Sequence, residues 1–326
     1  MSETILVAGG AGFVGAHVVK GLLQQGHEVV VLDNCSRGQE ENLPDGCSFI
    51  KGDIRQLQAR LRGVMEEYEV STLYDFAARV YGVKDLYKNP AELLVDNVEM
   101  TRILLQAAAG RVKKYVYISS SCVYDFAGVQ VPHVETDVCP CDTSYGWSKL
   151  FGEALTRFFA EQYGFETRLL RLFNVYGPGD SMQSAHVIPE LTYKAWRVRE
   201  RLAEEIPLIG DGFQTRDYTY VDDVAAGILA VAEKGRHGLA YNLGTGRETT
   251  VQELAHIICR TVGLPVSAVR FSHLPAPKED IRRRAADIRR VTAHTGWTPT
   301  VKLEDGIRRV VLESLLPQYA QGVVAA

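Results

Sequence analysis

No apolar run in this 326-residue chain approaches the roughly 20 residues that a helix needs to cross a bilayer, so no membrane partner is expected. A disulfide framework is missing too. The six cysteines (Cys35, Cys47, Cys122, Cys139, Cys141 and Cys259) follow no framework spacing, and Cys139-Pro140-Cys141 is too tight for a CxxC pair and lacks a second ligand pair. No metal site is expected from them. Lys and Arg total 36 against 40 Asp and Glu, scattered to a net charge of −4, which leaves no electrostatic footprint for nucleic acid or an anionic membrane. The first residues run straight into a strand without a secretory leader pattern, and a reduced, cytoplasmic protein is the expectation. There is no internal repeat and no low-complexity segment. What remains is an ordinary globular composition, 46% hydrophobic, long enough for a large core and a second lobe.

Short β-branched runs alternate with longer amphipathic stretches through the first half. Residues 4–8, 28–32, 71–76, 115–119 and 167–172 read as strands. Residues 13–25 put Phe13, Val14, Val18, Val19, Leu22 and Leu23 on one broad face before Gly26 stops the helix. This alternation predicts an α/β fold: a Rossmann-type, doubly wound parallel sheet over residues 1–176. Beyond Tyr176-Gly177-Pro178-Gly179 the alternation weakens. Strands at 206–209 and 241–243 and helices near 222–234 and 251–262 predict a smaller mixed α/β lobe over 177–326, with some exchange of chain between lobes. The cleft between them, at the carboxyl ends of the strands, is where such a fold takes its ligands.

Directly after the first strand, Gly9, Gly12 and Gly15 recur every third residue, the last with Phe13 and Val14 opening a helix. Glycine lets a pyrophosphate approach free N–H groups at the positive end of the helix, so this turn is predicted to bind a dinucleotide. Asp33, with Asn34 beside it, ends the second strand, where a carboxylate can accept from the adenosine ribose hydroxyls and repels the extra phosphate of NADP; NAD is the expected cofactor, although Arg37 stands close by. Asp53, followed by Ile54, is placed for the adenine edge, and a turn or helix cap would explain that aspartate equally well.

Tyr145-Gly146-Trp147-Ser148-Lys149 opens a predicted helix, so Tyr145 and Lys149 share one face a turn apart. An adjacent ammonium and an oxidised nicotinamide both favour the phenolate of a tyrosine acting as base. Upstream, a strand ends in Ser119-Ser120-Ser121-Cys122-Val123-Tyr124, and Ser120 is the candidate to hydrogen-bond a substrate oxygen while Tyr145 takes its proton. These motifs, with Arg171-Leu172-Phe173-Asn174-Val175-Tyr176-Gly177-Pro178-Gly179, Gly210-Asp211-Gly212-Phe213-Gln214-Thr215-Arg216-Asp217-Tyr218, Tyr241-Asn242-Leu243-Gly244-Thr245-Gly246 and Gly296-Trp297-Thr298-Pro299, resemble the extended short-chain dehydrogenase/reductases, the NAD-dependent nucleotide-sugar epimerases and dehydratases, over almost the whole chain.

The resemblance implies a nucleotide-diphosphate sugar as substrate and a transient 4-keto intermediate. Ser121 and Cys122 stand where dehydratases of the family carry acidic residues, which argues against dehydration. The segment instead is similar to that of GDP-mannose 3,5-epimerases and GDP-fucose synthases, and Ser184-Ala185-His186-Val187-Ile188-Pro189 resembles the segment whose histidine partners that cysteine. Cys122 and His186 are thus expected as base and acid for C3 or C5 epimerisation, provided the thiol pKa falls. Simple 4-epimerisation, needing only Ser120, Tyr145, Lys149 and NAD, is the alternative. Asn174 and Arg216 match family residues that hold the diphosphate. A further family arginine falls on Pro277, leaving Lys278, Arg282 or Arg283 to substitute, and Arg282 is the choice made. Asp75 stands where relatives often have His, with Ala77 and Ala78 passing close to NAD, Arg79 and Tyr81 toward the sugar, and Asn97 supporting the cofactor region or lying on a helix surface. Ser121, His186 and Val187 are expected to face the substrate. Helices near 91–109 and 144–163 resemble those that pair in a four-helix bundle, so a homodimer is expected.

Overall fold

The computed structural model describes residues 2–79, 89–125, 130–139, 141–180, 186–276 and 280–320. Tyr81, Pro140, Ser184, Ala185, Pro277 and Lys278 lie outside the described residues.

Five strands form within one residue of their predicted bounds: β1 (Thr4–Ala8), β2 (Glu28–Asp33), β4 (Thr72–Asp75), β5 (Lys114–Ser120) and β6 (Glu166–Leu172), joined by β3 (Ser48–Lys51). Their apolar runs are continuous rather than alternating because both faces of the sheet are covered. On one face α1 (Phe13–Gln24) and α6 (Val221–Lys234) press Val18, Leu22, Val224 and Ile228 onto Val7, Val31 and Leu170. On the other, α2 (Gln58–Glu67) and α3 (Pro90–Ala108) bury Leu61, Met65 and Leu104 against Leu6, Leu32 and Tyr115. The 20-residue α4 (Ser144–Tyr163) lies alongside α3.

The smaller group of elements has its own core, built from Leu191 of α5 (Val187–Arg199), Leu254 and Ile258 of α7 (Val251–Thr261) and Ile307 of α9 (Leu303–Val310) around β7 (Glu205–Ile209). Strand β9 (Arg270–Leu274) pairs parallel with β7. Residues 241–243, expected in this lobe, do something else: β8 (Ala240–Leu243) adds parallel to β6 as an edge strand of the large sheet, and α8 (Arg289–Thr295) packs beside it on α6. Among the described residues the sheet has seven parallel strands in the order β8-β6-β5-β4-β1-β2-β3. Strand order reverses between β1 and β4, and the crevice above their carboxyl ends is where the candidate residues gather. No helix among the described residues is long and apolar enough to cross a membrane.

Candidate active site

The turn after β1 is shaped by what its glycines exclude. Gly9 has φ of 78°, and a Cβ there would lie 2.8 Å from the Phe76 carbonyl carbon at the end of β4. A Cβ on Gly15 would run into the Gly9 carbonyl oxygen. Gly12 is the N-cap of α1, with no side-chain cap and no acidic residue in the first turn, so the leading N–H groups and the helix dipole face the crevice for an anion. Asp33 Oδ2 accepts the Ala11 N–H at 3.0 Å and Oδ1 accepts the Cys35 N–H at 2.8 Å, which fixes this carboxylate against the glycine turn at the tip of β2. These features fit a dinucleotide.

One cavity of about 1290 Å³ runs from this turn into the smaller lobe. Gly9, Gly12, Phe13, Val14, Gly15, Ala78, Ser120, Ser121, Cys122, Tyr145, Lys149, Asn174, His186, Val187 and Arg216 all line it. The remaining candidates sit elsewhere. Asp53 is gripped by Arg55, 2.8 Å from its Oδ2, and by Asn34, which holds its carboxyl at about 2. Ile54 is a core residue beside Leu6, and Ala77 packs against the same cluster. Asn97 is buried rather than on a helix surface: it accepts the Arg79 N–H at 2.7 Å and donates to the Arg79 carbonyl and the Ser148 hydroxyl, clamping the segment after β4 to α4. The Arg79 guanidinium pairs with Asp96.

The catalytic candidates meet where β5 ends and α4 begins. Thr143 caps α4 by accepting the Gly146 N–H at 3.0 Å, which sets Tyr145 in the first turn. The Ser120 hydroxyl hydrogen-bonds the Tyr145 phenol. Lys149, buried, donates to the Ile118 carbonyl at 2.8 Å, with its Nζ 5.8 Å from the centre of the Tyr145 ring. Burial lowers its pKa to about 8, opposed by the charges of Asp75 and Cys122. Burial likewise pushes the Tyr145 phenol up, opposed by Ser120 and Arg37.

Cys122 departs from the condition set for it as a base. Burial, and then the Asp125 carboxylate, push its thiol up to about 11, with only Arg284 and Ser120 pulling the other way. His186 is the N-cap residue of α5, and its Nδ1 lies 2.9 Å from Asp180 Oδ1.

The arginine run is where the structure redirects the sequence reading. Arg282 pairs with Asp211 at 2.7 Å beside a separate shallow depression formed with Phe213 and His273. Arg283 pairs with Glu248. Arg284, which the sequence reading passed over, lines the main cavity and is only 8% exposed, paired with Asp125. Arg216 donates to Asp280 Oδ1 at 2.7 Å nearby, and the buried Tyr218 also lines the cavity. Arg216 and Arg284 thus line the cavity together, and Arg197 of α5 lines it as well.

Residues 5–244 match the model of the NAD dependent epimerase/dehydratase family. The chain belongs to that family. Over 312 residues, 94% of this chain and 96% of the relative, it is 31% identical to UDP-glucose 4-epimerase of Mycolicibacterium smegmatis. Over 328 residues, 98% of this chain and 84% of the relative, it is 26% identical to GDP-mannose 3,5-epimerase 1 of Oryza sativa subsp. indica. The crystal structure of UDP-glucose 4-epimerase with UDP-glucose from Thermotoga maritima is similar with a TM-score of 0.88 and 32% identity, covering 97% of this chain and 99% of that one. With the family come NAD as cofactor and an isomerase activity of the epimerase type.

Proposed function

We propose that the chain inverts C4 of a nucleotide-diphosphate sugar. The observation that supports this most is the meeting of Ser120, Tyr145 and Lys149 beside the dinucleotide turn, while Cys122 is held as an uncharged thiol. Bound NAD supplies a hydride acceptor that returns the hydride, so no net redox change results. Tyr145 takes the proton of the C4 hydroxyl, Ser120 hydrogen-bonds the same oxygen, and the Lys149 ammonium favours the phenolate. Turning the transient 4-keto sugar over in the wide cavity then lets the returning proton from Tyr145 complete the inverted alcohol. Arg216 and Asn174, with Arg284, hold the diphosphate end, where a planar guanidinium suits phosphate oxygens. Gly9, Gly12, Phe13, Val14, Gly15, Asp33 and Ala78 hold the cofactor.

Inversion at C3 or C5 is the second reading, favoured by Cys122 and His186 lining the same cavity and by the likeness to GDP-mannose 3,5-epimerase. On this reading the expected roles are exchanged: a thiol raised to about 11 by burial serves as the acid, and His186, 2.9 Å from Asp180, as the base. The two readings separate in heavy water. Incubation with UDP-, GDP-, dTDP- and CDP-sugars followed by NMR gives C4 inversion with no deuterium at carbon under the first reading. Deuterium at C3 or C5 overturns it in favour of the second, and the absence of any NADH-like absorbance with every sugar overturns both.

The outward sides of α3 and α4 leave Val95, Phe151 and Phe158 exposed by 63, 48 and 66%, which supports a homodimer formed through these helices. Equilibrium sedimentation of the wild type and of Phe158→Glu tests it.

A further inference from the structure

Asp75 is fully buried at the carboxyl end of β4, and the mechanism above gives it no work. A buried carboxylate is costly unless paired and hydrogen-bonded, so its surroundings say what it is for. Its Oδ2 accepts the Tyr115 hydroxyl at 2.7 Å and its Oδ1 accepts the Ala77 N–H at 3.2 Å. Thr101 of α3 donates to it as well. Burial pushes the Asp75 pKa up, and the Lys149 charge and these three donors oppose it; donors aimed at both oxygens suit the ionised form, which can only accept. Asp75 is the parallel-ladder partner of Tyr117, and the Lys149 Nζ sits 5.3 Å from the centre of the Tyr117 ring. One layer therefore stacks Asp75, the two β5 tyrosines and the catalytic-site lysine between the sheet and α4.

Resting on the proposed roles of Tyr145 and Lys149, we infer that Asp75 is a positioning residue: the buried counter-charge that keeps Lys149 an ammonium pointed at Tyr145, acting through Lys149 without touching substrate. Among the described residues the Lys149 Nζ has one hydrogen bond, to the neutral Ile118 carbonyl, and a buried site with no anion would drive the proton off. The other groups that face this layer do not replace Asp75. Tyr115, Tyr117 and Tyr145 are phenols whose ionisation is pushed upward, Cys122 is a raised thiol, and Glu153 on α4 is committed to Arg171. The Asp75–Ala77 bond also shapes the segment against which Gly9 packs, so charge and shape must be told apart.

Asp75→Asn keeps the shape and an acceptor but removes the charge; Asp75→Glu keeps the charge. In the NAD-loaded full chain turning over a nucleotide sugar, the alkaline fall of kcat, set by loss of the Lys149 proton, should move down by about one pH unit or more in Asp75→Asn, a roughly tenfold loss of rate on that limb. KM and the NAD released on denaturation should stay at wild-type levels, and Asp75→Glu should return the limb toward that of the wild type even where its rate is lower. An unmoved limb in Asp75→Asn overturns the inference, as does loss of NAD from both variants, which would make Asp75 a shaper of the cofactor turn. Should Asp75→Asn fail to fold, a limb shifted downward in Asp75→Glu overturns it equally. If instead wild-type protein turns over no nucleotide sugar, the functional reading fails, and the two failures are distinct.

Discussion

Glu153 and Arg171 form a buried ion pair whose worth can be reasoned out bond by bond. Arg171 Nε and one terminal nitrogen each reach a different Glu153 oxygen at 2.8 Å, the other terminal nitrogen donates to the Tyr124 hydroxyl at 2.7 Å and the Glu135 carbonyl at 3.2 Å, and Ser119 donates to Glu153 at 2.7 Å. Glu153 is 0% and Arg171 4% exposed. Removing one partner of such a pair leaves an uncompensated charge and costs about 3–5 kcal/mol. The two truncations should differ. After Arg171→Met, Arg157 still stands 3.6 Å from Glu153, half in solvent, and can move in; after Glu153→Leu, the Arg171 guanidinium keeps, among the described residues, a phenol, a carbonyl and the Cys139 thiol, with no carboxylate bonded to it. Glu153→Leu should therefore lie at the upper end of that range and Arg171→Met at the lower. For a chain this long, about 2 °C per kcal/mol gives melting temperatures lower by roughly 10 and 6 °C. The double variant, with neither charge, should be more stable than Glu153→Leu alone, which is a coupling larger than about 3 kcal/mol. Calorimetry and urea unfolding of the four proteins check this. Additive losses, or single losses below about 1 kcal/mol, would refute the reasoning that an unpaired buried charge dominates.

Tyr145→Phe should lower kcat by about 10²–10⁴-fold with NAD content unchanged, measured by turnover and by nucleotide release. Gly15→Val, whose side chain would enter the Gly9 carbonyl, should yield folded protein without NAD, seen in its absorbance and far-ultraviolet dichroism. Arg284→Gln should weaken binding of the nucleotide sugar by about tenfold or more, in line with the roughly 1.5–3 kcal/mol of a hydrogen bond to a charged group, and calorimetric titration reads that loss directly.

The large sheet was legible because its signals are local. A buried parallel strand announces itself as a short apolar run, and each of the five foreseen runs was bounded by a helix with its own 3.6-residue pattern. Residues 240–243 carry the same kind of run, yet a run says nothing about which sheet it joins. Its partner β6 lies some 70 positions earlier, and the pairing is decided by Tyr241 and Leu243 burying among Val224, Ile228 and Trp297, contacts that no local window contains. The glycine turn was readable because three residues spaced along one strand–helix junction carry its signal, although Phe76 and Asp33, at the ends of other strands, complete its geometry.

Arg282, Arg283 and Arg284 show where the reading of the site had to stop. Three consecutive arginines are equivalent in charge and propensity, and a one-residue change of register in extended chain sends a side chain to the opposite face. What separates them is which acid each can reach: Asp211 in the Gly210–Gly212 turn, Glu248 after Gly246, and Asp125 just beyond the Ser120–Cys122 strand end. Those acids come from three distant parts of the chain, so the sorting is tertiary. Of these three acids Asp125 is the buried one, and it pairs with the one arginine of the run that lines the cavity, whose neighbours Ala285 and Ala286 are buried with it. The same carboxylate adds to the upward push that burial gives the Cys122 thiol, and the arginine it selects opposes both, so one ion pair sets the electrostatics on the Cys122 side of the site.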